Sequence, residues 1–141
     1  MQAGVSIGEA ARVSGVKVPT IRYYEQVGLL PEPPRTEGNR RLYEARHLSR
    51  LAFIRHAREL GFEVDAIRTL LDLQDHPGQS CSPADSIARL RLQDVKERIA
   101  RLNALKAELE RMIEGCSHGT VAECRVIEVL ADHAKCGHPG H

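Results

Sequence analysis

Apolar residues along the first half of the chain recur at helical spacing in short blocks, each closed by a turn-forming residue. Ser6-Ile7-Gly8-Glu9 has the form of a capping box, in which the Ser6 hydroxyl accepts from the Glu9 amide while the Glu9 carboxylate reaches back. It predicts a short helix ending near Ser14-Gly15. After Val16-Lys17-Val18, Pro19 suits the first turn of a second helix, where its missing N–H costs nothing. That helix carries Thr20, Ile21, Arg22, Tyr23, Tyr24 and Glu25 and stops at Gly28, so the pair forms a candidate helix-turn-helix. Pro31, Pro33 and Pro34 then break regular structure. Gly38-Asn39 supplies a turn between Arg35-Thr36 and Arg40-Arg41-Leu42-Tyr43, which predicts a small hairpin, or wing. Leu48, Leu51, Ile54, Ala57 and Leu60 predict a further helix up to Gly61, and Val64, Ile67, Leu70 and Leu71 another up to His76-Pro77-Gly78.

Ser82-Pro83 opens the longest helix, with Ser82 expected as its N-cap. Steps of four and three from Ala88 give Leu92, Val95, Ile99, Leu102, Lys106, Leu109 and Ile113, a seam that is apolar except at Lys106. A long helix cannot bury such a stripe alone, so the pattern predicts a homodimer in which the seam packs on its copy. The competing arrangement folds the helix back onto its own domain. Gly115 ends the helix, Cys116 to Cys124 form a loop, and Arg125 to His133 are expected to make a short last helix.

With 141 residues, 42% of them hydrophobic, the chain can bury one modest core or two small ones. Aromatics at 4% and no Trp favour helix packing over a sheet sandwich. A net charge of +1 excludes a uniformly basic coat, but the charge is uneven: Arg35, Arg40, Arg41, Arg46, Arg50, Arg55 and Arg58 face only Glu37 and Glu44 over that segment. Arginine forks suit phosphate, and Lys17, Thr20, Arg22 and Tyr23 on the second helix are placed for a major groove. No run is long and apolar enough for a membrane span, and the N-terminus lacks a signal-peptide pattern, so a cytoplasmic protein without a membrane partner is expected. No nucleophile–base array, phosphate loop or carboxylate pair points to catalysis.

All four cysteines, Cys81, Cys116, Cys124 and Cys136, follow the predicted DNA-binding half. In a reducing compartment such clustering points to metal or redox chemistry before structural disulfides. Cys116 and Cys124 flank SHGTVAE, a span long enough to turn back and present two thiolates to one soft ion. Cys81 sits at the start of the long helix, where the dipole suits an anionic ligand. If two long helices pair antiparallel, Cys81 of one subunit meets the Cys116–Cys124 loop of the other. His118 is the nearest fourth ligand, and His133, Cys136, His138 and His141 in the tail make a second, weaker candidate site. His47, His56 and His76 are read as surface or helix-packing residues.

The run SIGEAARVSGVKVPTIRYYEQVGLLPEPPRTEGNRRLYEARHLSRLAFIRHARELGFEVDAI resembles the winged helix-turn-helix domain of the MerR family of transcription regulators, with TIRYYEQVGLL, NRRLY and LAFIRHARELGF in order and at family-like spacing. The resemblance implies a mainly α protein: a winged helix-turn-helix domain over 1–75, a hinge and antiparallel dimerisation helix over 76–115, and a metal-binding loop, short helix and Cys/His tail over 116–141. It implies that Arg22 and Tyr23 on the recognition helix, with Arg35, Arg40, Arg41 and Tyr43 around the wing, hold the DNA backbone. It also implies RNA polymerase as a partner, and a metal that makes the bound dimer distort a promoter whose elements are spaced too far apart. A cysteine before the dimerisation helix is similar to the branch sensing divalent zinc, cadmium, lead or mercury. Three thiolates suit zinc with a fourth ligand, or lead and mercury with three. Ser117 stands where zinc sensors of the family often carry a second cysteine, and the tight four-cysteine cluster of the redox branch is absent. The alternative function is a regulator of the same family that senses oxidants or organic electrophiles through reactive cysteines.

Overall fold

The computed structural model describes residues 4–115 and 118–132, and the chain divides into two compact units between Arg91 and Leu92. The first unit holds α1 (Ile7–Ser14), α2 (Val18–Gln26), α3 (Ala45–Glu59), α4 (Val64–Asp75) and the start of α5 (Ser82–Glu114). Ser6 caps α1 as expected, its Oγ accepting from the Glu9 amide at 3.2 Å. The reciprocal half of the capping box is not made, because the Glu9 carboxylate pairs with Arg12 one turn on. Gly15 closes α1 at φ 73°, in the left-handed region that glycine enters without steric penalty. Pro19 lies in the first turn of α2, with Lys17 as N-cap.

Carbonyls left over at the ends of these helices are met by arginines from elsewhere in the unit. Arg55 Nη1 donates to Ser14 O at 3.1 Å, Arg68 Nη1 to Val27 O at 2.7 Å, and Arg91 Nε to Leu60 O at 2.9 Å. Arg50 Nε donates to Leu29 O at 3.1 Å, and its Nη1 pairs with Asp75 at 3.0 Å. Ala10, Ile21, Leu29, Leu30, Leu51, Ile54, Ile67 and Leu71 are wholly or almost wholly buried and form the core. Each large apolar side chain removed from water here stabilises the unit by about 1.5–3 kcal/mol.

The wing forms as a hairpin of isolated bridges rather than long strands. Arg35 pairs antiparallel with Arg41, Thr36 N donates to Arg40 O at 2.8 Å, and Asn39 turns the chain at φ 62°. A further pairing was not legible in the sequence: Val5 and Tyr43 exchange two backbone hydrogen bonds of 2.8 Å, tying the wing's far strand to the segment before α1.

The second unit holds the rest of α5, a 3-10 turn (Val121–Glu123) and α6 (Arg125–Ala131). The predicted long helix is present, but its cap is one residue earlier than expected. The Cys81 carbonyl accepts from the Asp85 amide at 3.1 Å, so Cys81 itself occupies the N-cap position and Ser82 is the first helical residue. Met112, Val129 and Glu108 are buried in this unit, Glu108 beside Arg111. Among the described residues most of the seam is exposed: Leu92, Ile99, Leu102, Leu109 and Ile113 are 51%, 52%, 64%, 57% and 67% exposed, while Val95 is half-buried. The last helix ends at Ala131 rather than His133, which with Cys136, His138 and His141 lies outside the described residues.

Candidate nucleic-acid interface and metal centre

One side of α2 buries Ile21 and Tyr24 in the core, which turns Arg22 and Tyr23 outward; both are exposed. Lys17, at the N-cap, is exposed and Thr20 is half-buried, so all four candidate residues of the recognition helix reach the surface. In the wing, Arg35 and Arg40 are exposed, with Arg35 Nη1 donating to Asn39 O at 3.1 Å across the turn. Arg41 is half-buried and lies against α2, its Nε 3.1 Å from Glu25 Oε2.

Tyr43 departs from the sequence expectation. It is fully buried and its hydroxyl donates to Glu25 Oε1, so in this free chain its side chain supports the wing from inside rather than standing on the surface. Burial pushes the phenol well above its ordinary range, and the bond to Glu25 adds to the effect. The arginines of the basic segment divide into two groups. Arg50, Arg55 and Arg58 spend nitrogens on the carbonyls of Leu29, Ser14 and Phe62, which leaves Arg35, Arg40, Arg41 and Arg46 around the wing and the start of α3. Charge counting along the sequence cannot separate these two groups, because the distinction lies in which carbonyls the fold brings near.

His47 is wholly buried at the start of α3, its Nδ1 accepting from the Glu44 amide at 3.0 Å and its ring edge-on to Tyr43. It is the packing residue that the sequence allowed, held neutral because burial, and then Arg46, lower its pKa.

Of the candidate metal ligands, Cys81 is a free, exposed thiol immediately before α5. Cys124 is a free, half-buried thiol at the N-cap of α6, and His118 is exposed with φ 58°. Cys116 and the tail ligands lie outside the described residues. Among the described residues no three His, Cys, Asp or Glu side chains gather as a metal site. The thiols and the imidazole are a donor set that suits soft and borderline divalent ions.

Two short helices across a tight turn, an arginine-bearing hairpin beside the second, and a long helix with a bare apolar seam define a winged helix-turn-helix DNA-binding protein. Residues 5–74 match the family model for the MerR HTH family regulatory protein, and residues 48–112 the model described as MerR, DNA binding. The chain belongs to the MerR family of transcription regulators, which are DNA-binding proteins and not enzymes. It is 41% identical over 133 residues to the HTH-type transcriptional regulator ZntR of Escherichia coli K12, covering 92% of this chain and 94% of that one. Among solved structures it is similar to the transcription regulator PbrR691 of Ralstonia metallidurans CH34 in complex with lead(II). That match has a TM-score of 0.77 and 39% identity, over 89% of this chain and 98% of the other. The dual function regulator MerR of Bacillus megaterium MB1, in complex with mercury(II), matches with a TM-score of 0.68 and 31% identity, over 91% of this chain and all of that one (100%). No helix among the described residues is long and apolar enough to cross a membrane.

Proposed function

We propose that the protein is a cytoplasmic, homodimeric regulator that binds promoter DNA and, on taking up a divalent soft or borderline ion, activates genes of metal resistance or efflux. The observation that carries this reading is the succession along α5 of a free, exposed Cys81 thiol at its N-cap and a seam in which Leu92, Ile99, Leu102, Leu109 and Ile113 are exposed. Antiparallel pairing of two seams buries that stripe and brings Cys81 to the partner subunit's Cys116 and Cys124, with His118 as the nearest fourth donor. The lead(II) and mercury(II) complexes of the relatives support an ion of this class; zinc and cadmium share the donor preference. Cys136, His133, His138 and His141 form the secondary site of this proposal.

On the DNA side, Lys17, Thr20, Arg22 and Tyr23 face the groove, and Arg35, Arg40 and Arg41 hold phosphates on either side of it. The bound ion supplies cross-links between the two subunits. Switching requires that it bind the DNA-distorting state more tightly than the resting one, since equal affinity for both shifts nothing. RNA polymerase then reads the distorted promoter.

A promoter reporter titrated separately with zinc, cadmium, lead and mercury tests this reading. The expected result is ion-dependent activation that is lost in Cys81→Ser while metal-free DNA binding is retained. Activation by peroxide or an electrophile with no response to any of the four ions contradicts it and favours thiol-based sensing.

A further inference from the structure

Glu25 sits one turn after Arg22 on α2, in the helix that the DNA reading places in the groove, yet it is an acid and its side chain is only 8% exposed. A nearly buried carboxylate beside phosphate-binding arginines opposes DNA affinity by repulsion, and it needs partners to be stable where it is. Its two oxygens have them, and both come from the wing: Oε1 accepts from the Tyr43 hydroxyl, and Oε2 lies 3.1 Å from Arg41 Nε. Arg41 and Tyr43 stand two apart on one strand, so strand alternation turns both toward α2. The same strand is fixed on its other edges by the Arg35–Arg41 and Val5–Tyr43 pairs.

We infer that Glu25 is a positioning residue that locks the wing in register with the recognition helix and so sets how well the protein discriminates its operator from other DNA. The inference rests on the DNA interface proposed above. Phosphate contacts from the wing and base contacts from α2 act together only when their spacing is fixed. A wing released from α2 still finds phosphates on any duplex, so non-specific binding survives while operator binding suffers. The Arg41 contact is an ion pair by proximity, its buried Nε making no aligned hydrogen bond, so the Tyr43 hydroxyl is the hydrogen-bonded half of the clamp.

The test selects a preferred duplex from a random-sequence pool with the wild-type protein. It then compares affinity for that duplex and for a scrambled one, at one salt concentration, in wild type, Glu25→Gln, Arg41→Ala and the double variant. In Glu25→Gln the ratio of selected to scrambled affinity should fall by about tenfold or more, the loss of one charged hydrogen-bonded pair. Scrambled binding should hold or tighten, because a negative charge has gone. In the Arg41→Ala background the same substitution should lower the ratio much less, since the partner is already missing. A residue that merely stabilises the fold lowers the melting temperature and leaves the ratio alone. A ratio within about twofold of wild type, or full additivity with Arg41→Ala, overturns the inference. Should Glu25→Gln fail to fold, Tyr43→Phe decides: a fall of about threefold supports the clamp, and an unchanged ratio overturns it. If the wild type selects no sequence at all, the DNA reading fails, which is separate from the role of Glu25.

Discussion

His47 caps α3 from inside the core, and its lowered pKa gives the protein a defined acid sensitivity. Folded His47 binds a proton less readily than the unfolded residue, whose ordinary value is 6.5, so the unfolded state takes up protons first as pH falls. The stability that neutral His47 contributes is fully present above that value and is lost progressively below it, down to the folded pKa. His47→Gln keeps a neutral acceptor without a titrating ring. Denaturant melts from pH 7.5 to 5 should show wild type losing more stability than the variant below about pH 6.5. Parallel pH curves for the two proteins would show that His47 does not titrate in this window. Residue-scale roles also separate the arginines. Arg22→Ala and Arg41→Ala should each lower the slope of log affinity against log salt by about 1 or less, through lost phosphate contacts. Arg50→Ala should leave that slope unchanged but reduce stability by about 1–2 kcal/mol, because the Arg50 guanidinium is engaged by Leu29 O and Asp75 within the fold.

At the scale of elements, the bounds of α1 to α4 were legible because their signals are local. Ser6, Gly15, Pro19, Gly28 and Gly61 each dictate a start or stop within a few residues of themselves. The wing's turn was legible for the same reason. What the sequence did not disclose is the set of links between distant elements: Tyr43 and Arg41 on Glu25, Val5 on Tyr43, and the arginines on helix-end carbonyls. Nothing in the local pattern of an arginine tells whether a carbonyl or a phosphate will meet it. An acid one turn after Arg22 on the recognition helix was the available hint to Glu25. For α5 the periodicity was sufficient to mark the seam, whose exposure in a single chain fits dimer pairing. Leu102→Asp places a charge in that seam and should shift the protein from dimer to monomer, a loss of several kcal/mol of association. Sedimentation showing an intact dimer in the variant would move the interface elsewhere.

At the scale of the whole molecule, DNA reading and metal binding should be separable by mutation, although Cys81 lies in the same compact unit as the helix-turn-helix. Cys81→Ser and Cys124→Ser should each weaken metal binding by orders of magnitude, because two remaining thiolates make too few soft ligands, while metal-free DNA affinity stays near wild type. Cys136→Ser should do much less in the proposed scheme, as a ligand of the secondary site. The central claim is that the metal is held between subunits, and mixed dimers test it most directly. Subunits carrying Cys81→Ser are combined with subunits carrying both Cys116→Ser and Cys124→Ser, and bound zinc or lead is counted per purified heterodimer. The account predicts one tightly bound ion, held by Cys81 of the second subunit and the loop of the first, against two in the wild-type dimer. A heterodimer that binds no ion while the wild type binds two would place the whole site within one subunit and contradict the crossed arrangement.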